Sequence, residues 1–188
     1  MPPKAKITKE MIVDAGVELV RESGIEHVNA RAVAERLGCS TQPVMYHFQT
    51  IEEMKRAIYD KADAHHTAYL TDIHGEKPML EIGLSYIRFA QKEKQLFRLL
   101  FQSDGFSEKN MNDLISAEEL RPILAVLEEA ASVGEEQAKT IFRLLFLTVH
   151  GYAAMFANND MEYDEAAVAA DLVRAYEGAC HVSKEKRP

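Results

Sequence analysis

Residues 28–48, Val-Asn-Ala-Arg-Ala-Val-Ala-Glu-Arg-Leu-Gly-Cys-Ser-Thr-Gln-Pro-Val-Met-Tyr-His-Phe, constrain the fold more than any other stretch of the chain. Ala30, Val33, Ala34 and Leu37 fall at i, i+3, i+4 and i+7, so one narrow face of a short helix is apolar and must pack on a neighbour. Asn29 suits the N-cap of that helix, and Gly38 supplies the left-handed residue that ends it. Ser40 is placed to cap a second helix two residues later, which leaves no room for a flexible loop. Pro43 would break a helix interior, but three residues after Ser40 it lies in the first turn, where backbone N–H groups have no intrahelical partner. The pattern is the sequence form of a helix-turn-helix. Within its second helix Val44 and Phe48, four apart, are expected to face inward as core.

The remainder of the chain reads as helical. At 188 residues and 47% hydrophobic content it can bury a substantial core, and nearly every long segment has the helical period, whereas alternating β-branched runs are missing. Thr8 suits the cap of a first helix carrying Ile12, Ala15, Gly16, Leu19 and Val20 in one stripe, ending near Ser23-Gly24. Thr50-Ile51-Glu52-Glu53 is a capping-box pattern and starts a fourth helix, with Ile51, Met54, Ile58, Ala62, His65 and Tyr69 along one side as far as about Asp72. Such a helix is about 33 Å long, enough to leave the small N-terminal bundle and enter a second one. After the break at 74–78, helices are expected near 78–92, 94–102, 108–131 with a kink or split at Pro122, 135–157 and 164–180, with turns at 103–105, 132–134 and 158–160. The predicted fold is all-α: a three-helix helix-turn-helix domain over 1–50, a linking fourth helix over 51–75, a helical bundle over 76–182, and a polar, disordered tail over 183–188.

Charge and cysteine content narrow the function classes. The net charge is −8, yet residues 1–62 carry nine Lys or Arg against nine Asp or Glu, leaving 13 against 21 for the rest. The acidity therefore sits in the C-terminal part, and the N-terminal part, with Lys4, Lys6 and Lys9 at its start, can still present a basic face to phosphate. Cys39 and Cys180 lack disulfide-framework or metal-pair spacing, which suits a reducing cytoplasm. No signal peptide is visible, and the longest uncharged apolar stretch, 144–157, contains His150 and falls short of a bilayer span, so it reads as a buried helix and no membrane partner is expected.

Arg31-Ala32-Val33-Ala34-Glu35-Arg36-Leu37-Gly38, then Ser40, Tyr46-His47-Phe48 and Glu53-Met54, resemble the DNA-binding domain of the TetR family of bacterial transcriptional regulators, over about residues 8–60. The resemblance implies a homodimer, an all-α effector-binding and dimerisation domain, and repression of a pseudo-palindromic operator relieved by a small molecule. Leu147-Thr148-Val149-His150-Gly151 is similar to the Trp-His-Gly signature of one subgroup, with Val149 in place of Trp. The second helix of a helix-turn-helix offers its N-terminal side chains to base edges in the major groove, here Ser40, Thr41, Gln42 and Pro43, with Met45 on the same side. Gln42 can pair bidentately with adenine, Thr41 can bond a base or phosphate, and Pro43 or Met45 can touch a thymine methyl. Tyr46, His47 and Arg31 match positions at which the family contacts phosphates. Where the family carries a Lys before the acidic residues of the fourth helix this chain has Ile51, and Lys55 or Arg56, one turn on, is the substitute, beside the amides of that helix's N-terminus.

For an effector, Tyr86, Phe89, Phe97, Phe101, Phe142, Phe146, His150 and Met155 are candidates to line a mainly apolar cavity, with His150 its polar anchor and a hydrophobic or amphipathic small molecule its occupant. The last two long helices are candidates for a four-helix interface with a second copy. No cofactor and no metal is expected. Two rival readings stand beside this one: a metal-dependent helical enzyme built on Asp63, His65, His66, Asp72 and His74, and an adaptor that binds only protein through its last two helices. Glu177 and His181 share an i, i+4 spacing in a C-terminal turn, and no Gly-rich phosphate loop, nucleophile elbow or Cys-His pairing is present.

Overall fold

The computed structural model describes residues 7–72, 75, 77–103 and 110–185, and all regular structure among them is helical. The chain divides into two compact units, the first drawn from Met1–Ala68 and Glu93–Phe106, the second from Tyr69–Lys92 and Ser107–Pro188.

In the first unit, α1 (Lys9–Ser23) begins where Thr8 Oγ1 accepts the Met11 amide at 3.2 Å. Its residues Ile12, Val13, Ala15, Gly16, Val17 and Val20 are buried, so it serves as the element on which α2 (Ala30–Arg36), α3 (Thr41–His47) and α6 (Lys94–Phe101) pack. α4 (Ile51–Thr71) approaches α1 so closely that a Cβ on Gly16 would collide with Cδ1 and Cγ1 of the fully buried Ile58. The stripe expected on α4 is nearly right: Met54, Ile58 and Ala62 are buried, but the next buried residue is His66, whereas His65 is half-exposed. His66 packs edge-on against Phe101, ring centroids 5.0 Å apart, and burial, helped by the neighbouring His65, lowers its pKa to about 4.

In the second unit α9 (Glu135–Asn158) is central, with α5 (Pro78–Lys92), α8 (Arg121–Ala131), α10 (Glu165–Glu185) and the short α7 (Met111–Ile115) packed on it. Ile115, Leu124, Leu127, Ile141, Phe142 and Leu145 belong to one buried cluster of its core. α5 lies close at Gly83, where a Cβ would stand 3.1 Å from Leu172 Cδ1 and 3.3 Å from Val149 Cγ2. By length and apolar content alone α9 passes as a membrane span, the one such helix among the described residues. It is two-faced, however, with seven side chains from Ala138 to Ala157 in the core.

The segment expected over 108–131, with a kink or split at Pro122, is split: among the described residues it comprises α7, a 3-10 turn over Glu118–Leu120, and α8, with Pro122, which has no N–H to donate, in the first turn of α8. One expectation about the second unit is corrected. The helix expected to end at 180 runs to Glu185, three residues into the stretch read as disordered. Ser183 is buried, its hydroxyl donates to the Ala179 carbonyl at 2.8 Å, and its own carbonyl accepts from Gln137 Nε2 at 3.1 Å. Lys4, Lys6, His74, Asp104 and Gly105 lie outside the described residues.

The same turn ends α2 and α8. After α2 the Gly38 and Cys39 amides donate to the Glu35 and Ala34 carbonyls; after α8 the Ser132 and Val133 amides donate to those of Glu129 and Glu128. Both need a left-handed residue, supplied by Gly38 (φ 63°) and by Ser132 (φ 53°). A Cβ at Gly38 would meet nothing within 4 Å, so its cost there is conformational alone. Gly38→Ala is therefore expected to lower stability, and Ser132→Gly to raise it, each by about 1 kcal/mol in urea denaturation. Equal signs for the two would contradict the assignment.

His66 gives a pH dependence. Its folded pKa lies below the value of about 6.5 expected when unfolded, so the unfolded chain binds more protons between these values. Its contribution is complete above about pH 6.5 and is lost as pH falls through 4, amounting to about 3 kcal/mol at full extent. Unfolding measured from pH 7.5 to 4 should show a shallower acid loss for His66→Leu than for the parent chain.

Candidate nucleic-acid interface

α2 and α3 are set by three local devices. Asn29 Oδ1 accepts the amides of Arg31 and Ala32 at 3.1 and 3.0 Å and fixes the start of α2. The left-handed Gly38 then reverses the chain within four residues. Ser40 takes the N-cap position of α3 with extended backbone, though its side chain makes no capping bond. Pro43 falls in the first turn of α3, half-buried.

The inner face of α3 is anchored by Val44 and Phe48, 0% and 1% exposed. Because inner positions recur every three to four residues, Thr41, Gln42, Met45 and Tyr46 are turned outward together, and Tyr46 is 82% exposed. An outward aromatic at that exposure is unusual in a small bundle, since its apolar ring gains nothing from the core. Arg31 is exposed at the start of α2.

His47 behaves differently from its outward neighbours. Its Nε2 carries the hydrogen and donates to the Ile7 carbonyl at 3.0 Å, tying the end of α3 to the start of α1, while its ring meets Tyr46 edge-on at 5.3 Å. Beside it the Lys9 ammonium lies 4.9 Å from the centroid of the Phe48 ring. Lys9 thus belongs to α1 and is held at the α3 end. Neither contact is readable from spacing, since each joins residues about forty apart.

At the start of α4, Thr50 Oγ1 accepts the Glu53 amide at 3.0 Å, and the Glu53 carboxylate accepts the Gln49 amide at 2.9 Å. The hydroxyl half of the capping box is in register and engages the Glu53 amide, whereas the return bond of the carboxylate falls one residue upstream, on Gln49 instead of Thr50. Arg56 pairs with Asp60 at 3.2 Å and lies over the Tyr59 ring, whereas Lys55 is half-buried.

The effector candidates separate into groups. Tyr86 from α5 meets Phe146 and His150, which with Phe142 form a column at i, i+4 steps on α9, Phe146 being stacked on both Phe142 and His150 at 5.9 and 5.4 Å. The Tyr86 hydroxyl stands 3.0 Å from His150 Nδ1. Burial holds the Tyr86 pKa above its ordinary value and that of His150 below, so both are neutral at pH 7: the phenol donates, Nδ1 accepts and Nε2 carries the hydrogen. Phe89 is fully buried against Tyr69, and Met155 is on the surface. Phe97 and Phe101, packed on each other at 5.1 Å, lie in the first unit. Of the rival metal ligands, Asp63, His65, His66 and Asp72 form no group of three suited to an ion among the described residues.

Comparison with known proteins bears on both units. The chain is similar over 176 residues, at 22% identity, to the uncharacterized HTH-type transcriptional regulator YobS of Bacillus subtilis (strain 168), covering 88% of this chain and 87% of the relative. Residues 79–176, more than half of the chain and most of the second unit, match the family described as tetracyclin repressor-like, C-terminal domain. With an all-α fold, a helix-turn-helix in the first unit and this match across the second, the chain belongs to the TetR family of transcriptional regulators.

Proposed function

We propose that the chain is a DNA-binding repressor whose α3 enters the major groove of an operator and which a small molecule releases. The observation that carries this is the division of α3: Val44 and Phe48 are locked inside, while Thr41, Gln42, Met45 and Tyr46 are presented outward side by side. Thr41 and Gln42, at the N-terminal end, are the base readers, with Ser40, Pro43 and Met45 completing the apolar and polar edge. Tyr46 and Arg31 contact phosphates, and Lys55 is the nearest cation to the corner where Ile51 replaces the family's Lys. His47 acts by orienting, through Ile7, the start of α1 beside the groove.

Two copies make the working unit. Leu144, Leu147 and Met155 leave an apolar stripe on α9 away from its core face, and Val182 is exposed near the end of α10. Pairing these helices with their copies buries that stripe and sets two recognition helices about 34 Å apart, one turn of DNA. The effector is hydrophobic or amphipathic and replaces the Tyr86–His150 bond with its own polar group against the Phe142–Phe146 wall. It acts by preferring a conformation in which the two recognition helices no longer match the operator spacing. The protein works without catalysis, in the cytoplasm where the DNA is.

Selection of bound fragments from the source genome tests the reading: it should return a pseudo-palindrome, and recovery of no enriched sequence would refute it. On that duplex Gln42→Ala should weaken binding by about 1–3 kcal/mol with little change on random DNA. Leu147→Glu should convert the dimer to monomer in sedimentation and weaken operator binding with it; an unaltered sedimentation coefficient would remove α9 from the interface.

A further inference from the structure

Glu93 is the single non-helical residue between α5 and α6 (φ −112°, ψ 49°), and the chain passes there from the second compact unit to the first. Its backbone carbonyl accepts the Phe97 amide at 2.9 Å and so starts α6. Its carboxylate is gripped from α1 by both arms of Arg21, Nε to Oε2 at 2.9 Å and Nη2 to Oε1 at 3.1 Å. From α4, His65 Nε2 stands 3.3 Å from Arg21 Nη2 and 3.6 Å from Glu93 Oε1. Glu18 completes the set by pairing with Arg21 from the preceding turn of α1. The carboxylate and the guanidinium are mostly shielded, with 21% and 31% of their side chains exposed, and a planar bidentate pair fixes direction as well as distance.

The joint is therefore tied to the element that carries α2 and α3. We propose that Glu93 is a positioning residue for DNA recognition: through Arg21 it sets the orientation of α1, and with it the recognition helix, so that a movement of α5 is passed through this joint as well as along α4. This rests on α3 being the DNA-recognition helix. Since coupling between two sites is reciprocal, the joint must also respond when DNA binds at α3.

The test uses the full-length protein and the duplex it selects from genomic fragments. Glu93→Gln should weaken operator binding at least threefold, with random-duplex binding unchanged and a cooperative thermal transition retained. Arg21→Gln should do the same, and the double variant should be no weaker than the worse single one, because both changes remove one interaction. In the parent chain the operator duplex should alter amide hydrogen exchange over residues 94–101, and in Glu93→Gln that response should vanish. If Glu93→Gln does not fold, Glu93→Asp, which keeps the charge but shortens the reach, is expected to show a smaller loss in the same assays. A pair that only stabilises the bundle would lower the melting temperature and leave operator affinity and the exchange response as they are. That result, or additive losses in the double variant, overturns the proposal. Failure of the parent chain to select any duplex would instead overturn the DNA-binding reading beneath it.

Discussion

Helix α1 has to satisfy neighbours on several sides at once, and the first unit depends on its doing so. Six of its fifteen residues are buried, and α2, α3 and α6 all rest on it. The helices of the helix-turn-helix are seven residues each, below the length at which a helix is stable in water, so their geometry comes from what they pack on. The approach of α4 at Gly16 shows how little slack the arrangement has, since even a methyl group has no room there. An interface that must place two or three side chains against base edges needs a base of that rigidity.

The second unit solves a different problem. Its central helix α9 contributes both the core of the bundle and an outward apolar stripe, and a hydrogen-bonded Tyr-His pair is embedded among its aromatic residues. A partly buried polar pair of this kind is tolerated because each group satisfies the other, and it is also the place where an incoming polar group would find partners. The rigid first unit and the polar pair in the second are linked in sequence at Glu93, whose carboxylate and carbonyl serve two helices at once.

Local physics made much of this legible in the sequence. Thr8, Asn29, Gly38 and Thr50 mark helix ends by short-range hydrogen bonds or by φ, and each stands at the helix end where the residue pattern placed it. The inward pair Val44 and Phe48 followed from a four-residue spacing. What escaped depends on contacts between distant residues or on small angular offsets. His65 and His66 differ by 100° around α4, and it is His66 that packs on Phe101 from a distant part of the chain. The extension of α10 through Ser183 depends on Gln137, 46 residues away, and the polar composition of the tail gives no hint of it. Ser40 shows the converse: the residue type marked the right position, while the capping bond it suggested is not made. The Arg21–Glu93 pair spans 72 residues and has no local signature.

The close approach at Gly83 bears on how the second unit can vary. The Val149 methyl group and the Leu172 side chain already fill the space that a side chain at position 83 would occupy. Positions 83, 149 and 172 therefore share one fixed volume, and enlargement of any one must be matched by a reduction in another or by a shift of α5. Val149 is thus one member of a three-way size compromise, and enlarging it alone would displace a helix whose last residue adjoins Glu93.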